Sequence, residues 1–372
     1  MDSHLEAAAA PNLTRATAKA ERGVNELSLE YMPQLDGLRA LAVGAVVLHH
    51  YDIVHGAASY GVHLFFVLSG FLISGILVRS RAAIDIGMES WKHALRRFYI
   101  RRMLRIFPLY YAVVLIGIVA NADAAREYAP WLLTYTINIK MAAQGWYISN
   151  FAHLWSLAVE EQFYLVWPFL MLLIPRRWLV WSAVMMTAIG PLYRLYLVVN
   201  WQYLASEASG LSSYIATPTA LDSLGVGSLI AIMVATEPGR VLMRRWMRFA
   251  VPSIGLLLSV IVRYTDWWVL ADTATAVVFG WLIYRAASGF PGIAGRLLGA
   301  APLVFVGRIS YGIYLYHPLV SRAVKRLAAQ FKLPLPDGVW LIIILMTLTF
   351  SVAVFSWYAF ERPINNLKRR FT

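Results

Sequence analysis

The run VHLFFVLSGFLISGILV, Val62–Val78, contains no Asp, Glu, Lys or Arg and is closed by Arg79. Its apolar residues follow one another without the period-two alternation of a barrel strand, and its length suits a helix crossing a bilayer core. Inside hydrocarbon the backbone must satisfy its own hydrogen bonds, which a helix does within one segment. The rest of the chain repeats this pattern. Of 372 residues, 59% are hydrophobic and 14% charged, and the mean hydropathy is +0.59. A soluble domain carries roughly 25% charged residues, so too little polar surface exists here to cover a soluble globule. The fold class expected is all-α, a polytopic membrane protein with about ten transmembrane helices.

Outward from Val62–Val78, the expected spans cover about 35–53, 62–78, 106–120, 154–174, 178–199, 217–235, 251–264, 268–286, 301–320 and 339–360. The densest basic stretch, from Arg79 to Arg105, reads as a cytoplasmic loop. Two spans separate it from the N-terminus, so both chain ends are expected in the cytoplasm of a multi-pass plasma (inner) membrane protein. One loop disagrees: Arg322, Lys325, Arg326 and Lys332 fall on the outer side, as an amphipathic interfacial segment or as a sign that the span count is off by one. Residues 1–30 are polar, alanine-rich and without an apolar core, and read as a poorly ordered cytoplasmic tail rather than a signal peptide. Residues 31–372 then form one transmembrane domain. The net charge of +13 follows from basic residues flanking spans, so no nucleic-acid partner is expected. The absence of cysteine excludes disulfides, thiolate metal sites and a cysteine nucleophile, and no metal is expected.

Ionisable groups within spans are costly and therefore functional candidates. The first span carries Asp36, Arg39 and His50. Eleven residues from Arg39 to His50 make three turns plus about 20°, over about 16 Å, which puts both on one helix face. Asp36 and Arg39, three apart, can pair. An arginine can clamp a phosphate bidentately, and a histidine farther along can take a proton from an attacking hydroxyl. Equally, Arg39 can be a topogenic charge and His50 a satisfied core histidine, and spacing alone does not choose between them. His49 lies on another face. Ser69-Gly70 favours close helix packing over a nucleophile, because no Gly-x-Ser-x-Gly elbow surrounds the serine. Arg102 and Arg105 can share a face and hold a diphosphate, or simply be positive-inside charge, with Pro108 in the first turn of the third span. Glu160 and Glu161, beside an apolar run, need partners. Glu160 can orient a catalytic imidazole, contact a sugar hydroxyl or form a structural ion pair. Asp222 and His317 read as structural more readily than catalytic, and Glu361-Arg362-Pro363 reads as a terminal anchor.

Taken in order, these segments resemble the acyltransferase-3 family of integral-membrane O-acyltransferases. The resemblance rests on Leu35-Asp36-Gly37-Leu38-Arg39-Ala40 with His50, on Phe65 to Leu72, and on Arg102-x-x-Arg105-Ile106-Phe107-Pro108. Trp155-Ser156-Leu157 to Tyr164, Asp222-Ser223-Leu224, Ile309 to His317 and Glu361-Arg362-Pro363 complete it. Each block is weak alone; the ordered set is specific and spans almost the whole chain after residue 30. The resemblance implies about ten membrane helices and transfer of an acetyl or other acyl group from acyl-CoA, a co-substrate rather than a bound cofactor. The acceptor it implies is a sugar hydroxyl of a cell-envelope or exported polysaccharide. Arg39 and His50 carry the family's arginine-to-histidine spacing, and Arg102 and Arg105 its paired arginines. On this reading His50 and Glu160 are the catalytic candidates, and Arg39, Arg102 and Arg105 hold the donor. Asp36, Ser69, Asp222 and His317 are left as structural or substrate-contacting. Some members append a soluble esterase-like domain; with the sequence ending at Thr372, none is expected. The rival expectations are a small hydroxylated acceptor such as a macrolide, and a transporter or flippase without chemistry.

Overall fold

The computed structural model describes residues 31–122, 125–145, 151–200, 214–248, 253, 255 and 268–371. Among them every regular element is helical. Pro33 occupies the first turn of α1 (Pro33–His50), where its missing N–H costs nothing. The chain then reverses through Asp52 and Gly56, both at positive φ, and His49 Nδ1 accepts the Gly56 N–H at 3.1 Å. His49 thereby caps a turn. α2 (Ala57–Asp85) and α3 (Trp91–Val119) follow, the latter capped by Ser90, whose hydroxyl accepts the His93 N–H at 3.2 Å. Two short helices, α4 (Ala129–Leu133) and α5 (Ile137–Gln144), lead to α6 (Leu154–Leu173), α7 (Arg176–Val199), α8 (Thr217–Val234) and α9 (Glu237–Trp246). Then come α10 (Ala271–Ala287), α11 (Gly292–Leu298), α12 (Ala301–Arg308), α13 (Ser310–Phe331) and α14 (Val339–Ser356). A π-helical turn, Trp357–Glu361, carries α14 on into Arg362–Asn366.

Six of these helices are long and apolar enough to cross a membrane, or seven if α10 and α11, bent by 88°, count as one span. Ten spans are therefore not reached among the described residues, and the shortfall has three sources. The first expected span is diluted by Asp36, Arg39, His49, His50 and Asp52. The seventh, about 251–264, lies almost wholly outside the described residues, as do the tail 1–30, Trp146, Tyr147 and residues 201–213. The ninth is not one helix: it breaks at Ile309 into α12 and α13. The break accompanies a close approach of α12 to α1, because a Cβ on Gly307 would overlap the Asp36 carbonyl. Two further expectations need correction. The Arg79–Arg105 stretch is mostly helix, with only 86–90 between α2 and α3. Pro108 sits well inside α3 rather than in its first turn. Arg322, Lys325 and Arg326 lie exposed on the second half of α13.

α2 is the central staff. It packs on α1, α3, α6, α8 and α10. Against α8 the two backbones touch: a Cβ on Gly70 would overlap the Leu224 carbonyl, and one on Gly227 the Val67 carbonyl. Ser228 Oγ reaches the Gly70 carbonyl at 3.3 Å. Small residues at such a seam permit the dispersion contacts and short polar bonds that drive helix association in lipid. Outward-facing residues are large and apolar, as on α6, where Leu165, Val166, Phe169 and Leu173 are exposed. On α14 only Leu345, Thr349, Ala353 and Ser356 are buried, a single stripe at helical spacing.

A second polar centre joins α2, α7, α8 and α10. Arg194, 1% exposed, donates to Asp222 at 2.5 Å and to Asp272 at 3.3 Å. Thr273 Oγ1 donates to Asp222 at 2.6 Å, and His63 faces Ser223 at 3.0 Å and Asp272 at 3.3 Å. Removing one partner of such a pair strands a buried charge. Asp222→Leu is expected to destabilise the protein by about 3–5 kcal/mol, read as a lowered unfolding temperature in detergent. Arg194→Met in the same chain should recover much of that loss.

Candidate active site

The first two turns of α1 are held on three sides. Gln34 accepts the Phe290 N–H at 2.7 Å and donates to the Phe290 and Gly295 carbonyls, each at 3.3 Å, which clips the α10–α11 bend to α1. A Cβ on Gly37 would overlap the Leu298 carbonyl. Asp36, buried, accepts Arg39 Nη1 at 2.8 Å and the Tyr31 hydroxyl at 2.9 Å, and Arg308 Nη2 donates to that hydroxyl at 2.7 Å. Arg39 is thus aimed from a fixed helix into the interior of the bundle.

Three cavities meet there. Arg39 and Arg105 line all of them. One, of about 540 Å³, is bounded by Tyr31, Arg308, Glu361, Asn365 and Lys368. Another, of about 760 Å³, lies among Arg79, Arg97, Arg101 and Lys368. The third, of about 100 Å³, runs inward between α2, α3, α6 and α13, past Arg102, Ser69, Glu160, Glu161 and Tyr164 to Ser156 and Tyr314. Arg102 stacks on the Tyr164 ring, its guanidinium carbon 4.5 Å from the centroid. A guanidinium has no acceptor and five donors. Around Arg39, Arg102 and Arg105 the carboxylates Asp36, Glu160, Glu161 and Glu361 line the same cavities, and with Arg79, Arg308 and Lys368 the cations are in excess.

The inner cavity has a directed hydrogen-bond chain. Ser69 Oγ donates its one proton to Glu160 and lies 2.8 Å from the Tyr164 hydroxyl. The tyrosine is therefore the donor to the serine, and the chain ends on the carboxylate. Ser69 is thus a wall of the cavity as well as a packing residue. Glu160 is engaged by this serine, whereas the ring partners of His50 are the Val46 carbonyl at 2.9 Å and His317 at 3.4 Å. Glu161 Oε1 is buried in the same wall with no hydrogen-bond partner among the described residues. Next to it, Gln162 ties α6 to its neighbours. It donates to the Tyr135 carbonyl at 2.8 Å and to Asn138 at 3.0 Å, and accepts the Thr217 hydroxyl.

At the inner end the Ser156 and Tyr314 hydroxyls lie 2.6 Å apart, and Tyr314 donates to the His153 carbonyl at 2.8 Å. One turn along α13 stands His317, fully buried, whose ring packs 4.9 Å from that of His50 and 5.5 Å from that of His153. His50, the last residue of α1, is exposed. No three His, Asp or Glu among the described residues are grouped to hold a metal ion.

The structure thus brings Arg39, Arg102, Arg105, Ser69 and Glu160 to one set of cavities and puts His50 beside His317 at the far end of α1. Asp222 belongs to the separate centre around Arg194. Tyr164, Tyr311, Tyr314 and Ser156, which line the inner cavity, were not singled out from sequence. Tyr164 stands four residues after Glu160 and Tyr314 three before His317, spacings that share a helix face. Glu361, expected as a terminal anchor, is buried against Ser356 and lines the 540 Å³ cavity.

Residues 32–358 match the model of a family described as an acyltransferase domain. The chain is 28% identical over 365 residues to the O-acetyltransferase OatA of Staphylococcus aureus strain NCTC 8325, covering 91% of this chain and 58% of that protein. It is 26% identical to the peptidoglycan O-acetyltransferase OatA of Listeria monocytogenes strain EGD-e, covering 91% and 56%. It is 28% identical to the putative peptidoglycan O-acetyltransferase YrhL of Bacillus subtilis strain 168, covering 90% and 55%. The chain therefore spans a little over half the length of the curated relatives it matches. No solved structure matches.

The arginine pocket makes a prediction that needs no knowledge of the natural ligand. Pyrophosphate is expected to bind the detergent-solubilised protein, more weakly as salt rises. Arg105→Ala is expected to weaken that binding about tenfold, the loss of one or more charged hydrogen bonds. Isothermal titration calorimetry measures both.

Proposed function

This chain belongs to the acyltransferase family that its residues 32–358 match, and from that premise we propose that it is a membrane O-acetyltransferase. The donor proposed is acetyl-CoA or another acyl-CoA, and the acceptor a hydroxyl of a cell-envelope glycan. The observation that carries the donor assignment is the meeting of three cavities at Arg39 and Arg105, with Arg102 beside them. Coenzyme A carries a diphosphate and a further phosphate on one end and a flexible amide-containing arm on the other. The larger cavities suit its nucleotide end. The narrow inner cavity, with Ser69, Tyr164, Glu160 and Glu161 in its wall, suits the arm and offers groups to its amides. The relatives named as peptidoglycan O-acetyltransferases support a cell-wall glycan as acceptor.

α1 organises the reaction. Arg39 holds phosphate at one end, and His50 stands about 16 Å away at the other, so one rigid helix spans the donor from anion to reacting carbon. His50 takes the proton of the acceptor hydroxyl as its oxygen attacks the thioester carbonyl. The tetrahedral intermediate collapses, the carbon–sulfur bond breaks, and the imidazolium returns the proton to the departing thiolate. Products are the O-acetylated glycan and free coenzyme A. Under this reading the arginine end faces the cytoplasm, where the basic residues cluster under the positive-inside rule, and His50 faces the opposite side, where the glycan lies.

The test is acetyl-CoA binding and acetyl transfer in proteoliposomes, with a short β-1,4-linked N-acetylglucosamine oligomer as acceptor. His50→Ala should bind acetyl-CoA as the wild type does and transfer at least 10²-fold more slowly. Arg39→Ala should bind about tenfold more weakly. Wild-type protein with no affinity for acetyl-CoA or longer acyl-CoAs would overturn the donor assignment and leave a transporter as the reading to pursue.

A further inference from the structure

His50 at the end of α1 and His317 of α13 beside it have assignable tautomers. His317 Nδ1 lies 2.6 Å from the Tyr314 carbonyl oxygen. A carbonyl only accepts, so this nitrogen carries the proton and His317 Nε2 is a bare acceptor. That acceptor faces His50 Nδ1 at 3.4 Å. His50 Nδ1 also lies 2.9 Å from the Val46 carbonyl, so it is an N–H as well, shared between two acceptors. In a neutral imidazole the other nitrogen is then unprotonated. His50 Nε2 is left as the free base, on an exposed residue.

The backbone of His317 is tied to the same turn that presents His50. Tyr51, the next residue, donates its hydroxyl to the His317 carbonyl at 3.1 Å and is itself held by Thr349 of α14 at 2.8 Å. His317 is fully buried. It therefore cannot meet the acceptor, but it can hold the ring that does.

We propose that His317 is a positioning residue for His50: its Nε2, set by the Tyr314 carbonyl, holds His50 in the tautomer whose Nε2 is basic and steadies the imidazolium once that nitrogen is protonated. The proton taken from the acceptor stays on His50 Nε2 until the thiolate receives it, and His317 keeps its own throughout. The bond from Nδ1–H strengthens when His50 becomes charged, since charge-assisted hydrogen bonds exceed neutral ones. The arrangement follows the logic of an orienting group behind a catalytic histidine, with a neutral imidazole in the orienting place. It rests on the reading of His50 as the base.

The experiment compares full-length wild type, His317→Phe, His317→Gln and His50→Ala in proteoliposomes with acetyl-CoA and the same oligomer. Phenylalanine fills the space without an acceptor; glutamine can present its amide oxygen near the place of Nε2. His317→Phe should lose on the order of 10²-fold in kcat with the KM for acetyl-CoA unchanged, and His317→Gln should recover at least tenfold of that loss. In a His50→Ala background, His317→Phe should add no further loss. Should His317→Phe not fold, His317→Met takes its place. A His317→Phe enzyme within threefold of wild-type kcat overturns the proposal. Equal losses in Phe and Gln variants that still bind acetyl-CoA overturn it too. If His50→Ala is itself active, or the wild type transfers nothing, the reading of His50 as base fails first, and the two failures are distinguished.

Discussion

The contact on which the architecture hangs is the one between the backbones of α2 and α8 at Gly70 and Gly227. In lipid no hydrophobic force pushes two apolar helices together, because the tails are as apolar as the side chains. What remains is close packing, and it grows as the axes approach. With no Cβ at either glycine, each backbone reaches a carbonyl of the other. That seam fixes the rotation of α2, and the rotation decides what neighbouring residues face. Ser69, one residue from Gly70, is turned to α6, where Glu160 and Tyr164 take its hydroxyl. A packing motif and a site residue thus share two adjacent positions, each doing what the other's geometry allows.

The two polar centres of the bundle differ in their charge balance. Around Arg194, one guanidinium is met by Asp222 and Asp272, and the Val269 and Thr219 carbonyls and Thr273 Oγ1 take its other protons. That centre closes on itself and binds α2, α7, α8 and α10 together. At the other, Arg39, Arg102 and Arg105 converge on one cavity with Arg79, Arg101 and Lys368 close by. Positive charges gathered this closely repel one another in the free protein and favour a polyanion in their midst. The sets are built from the same residue types, and the surplus of cations at the second is what the proposed donor site rests on.

How much of this was legible beforehand depends on sequence separation. Long apolar runs announced α6, α7, α8 and α14 to within a few residues and the middle of the longer α2, since length and composition alone decide whether a helix suits a bilayer. The Asp36–Arg39 pair was legible because it lies within one turn, and the place of Arg39 and His50 on a single helix because periodicity is a local property. The junction of Ser69 with Glu160 joins residues 91 apart, and that of His50 with His317 residues 267 apart; no local period encodes either. The same limit explains the errors. Pro108 looks like a helix start because it follows a dense basic stretch, yet α3 runs through it. Ile309 gives no sign of a break, and the close approach that accompanies it joins Gly307 to Asp36, far apart in sequence.

α1 also imposes a phase. A helix converts residue number into angle much faster than into length: each added residue turns the side chains beyond it by about 100° while advancing them about 1.5 Å. One residue inserted between Arg39 and His50 would leave the span of the helix almost unaltered, yet swing the imidazole away from His317 and toward another neighbour. Side chains in that stretch that point outward, such as the exposed Leu41, are free to vary in kind. Their number is not. The segment behaves as a gear tooth count rather than a tether, and the coupling between the two ends of the molecule is stored in an integer.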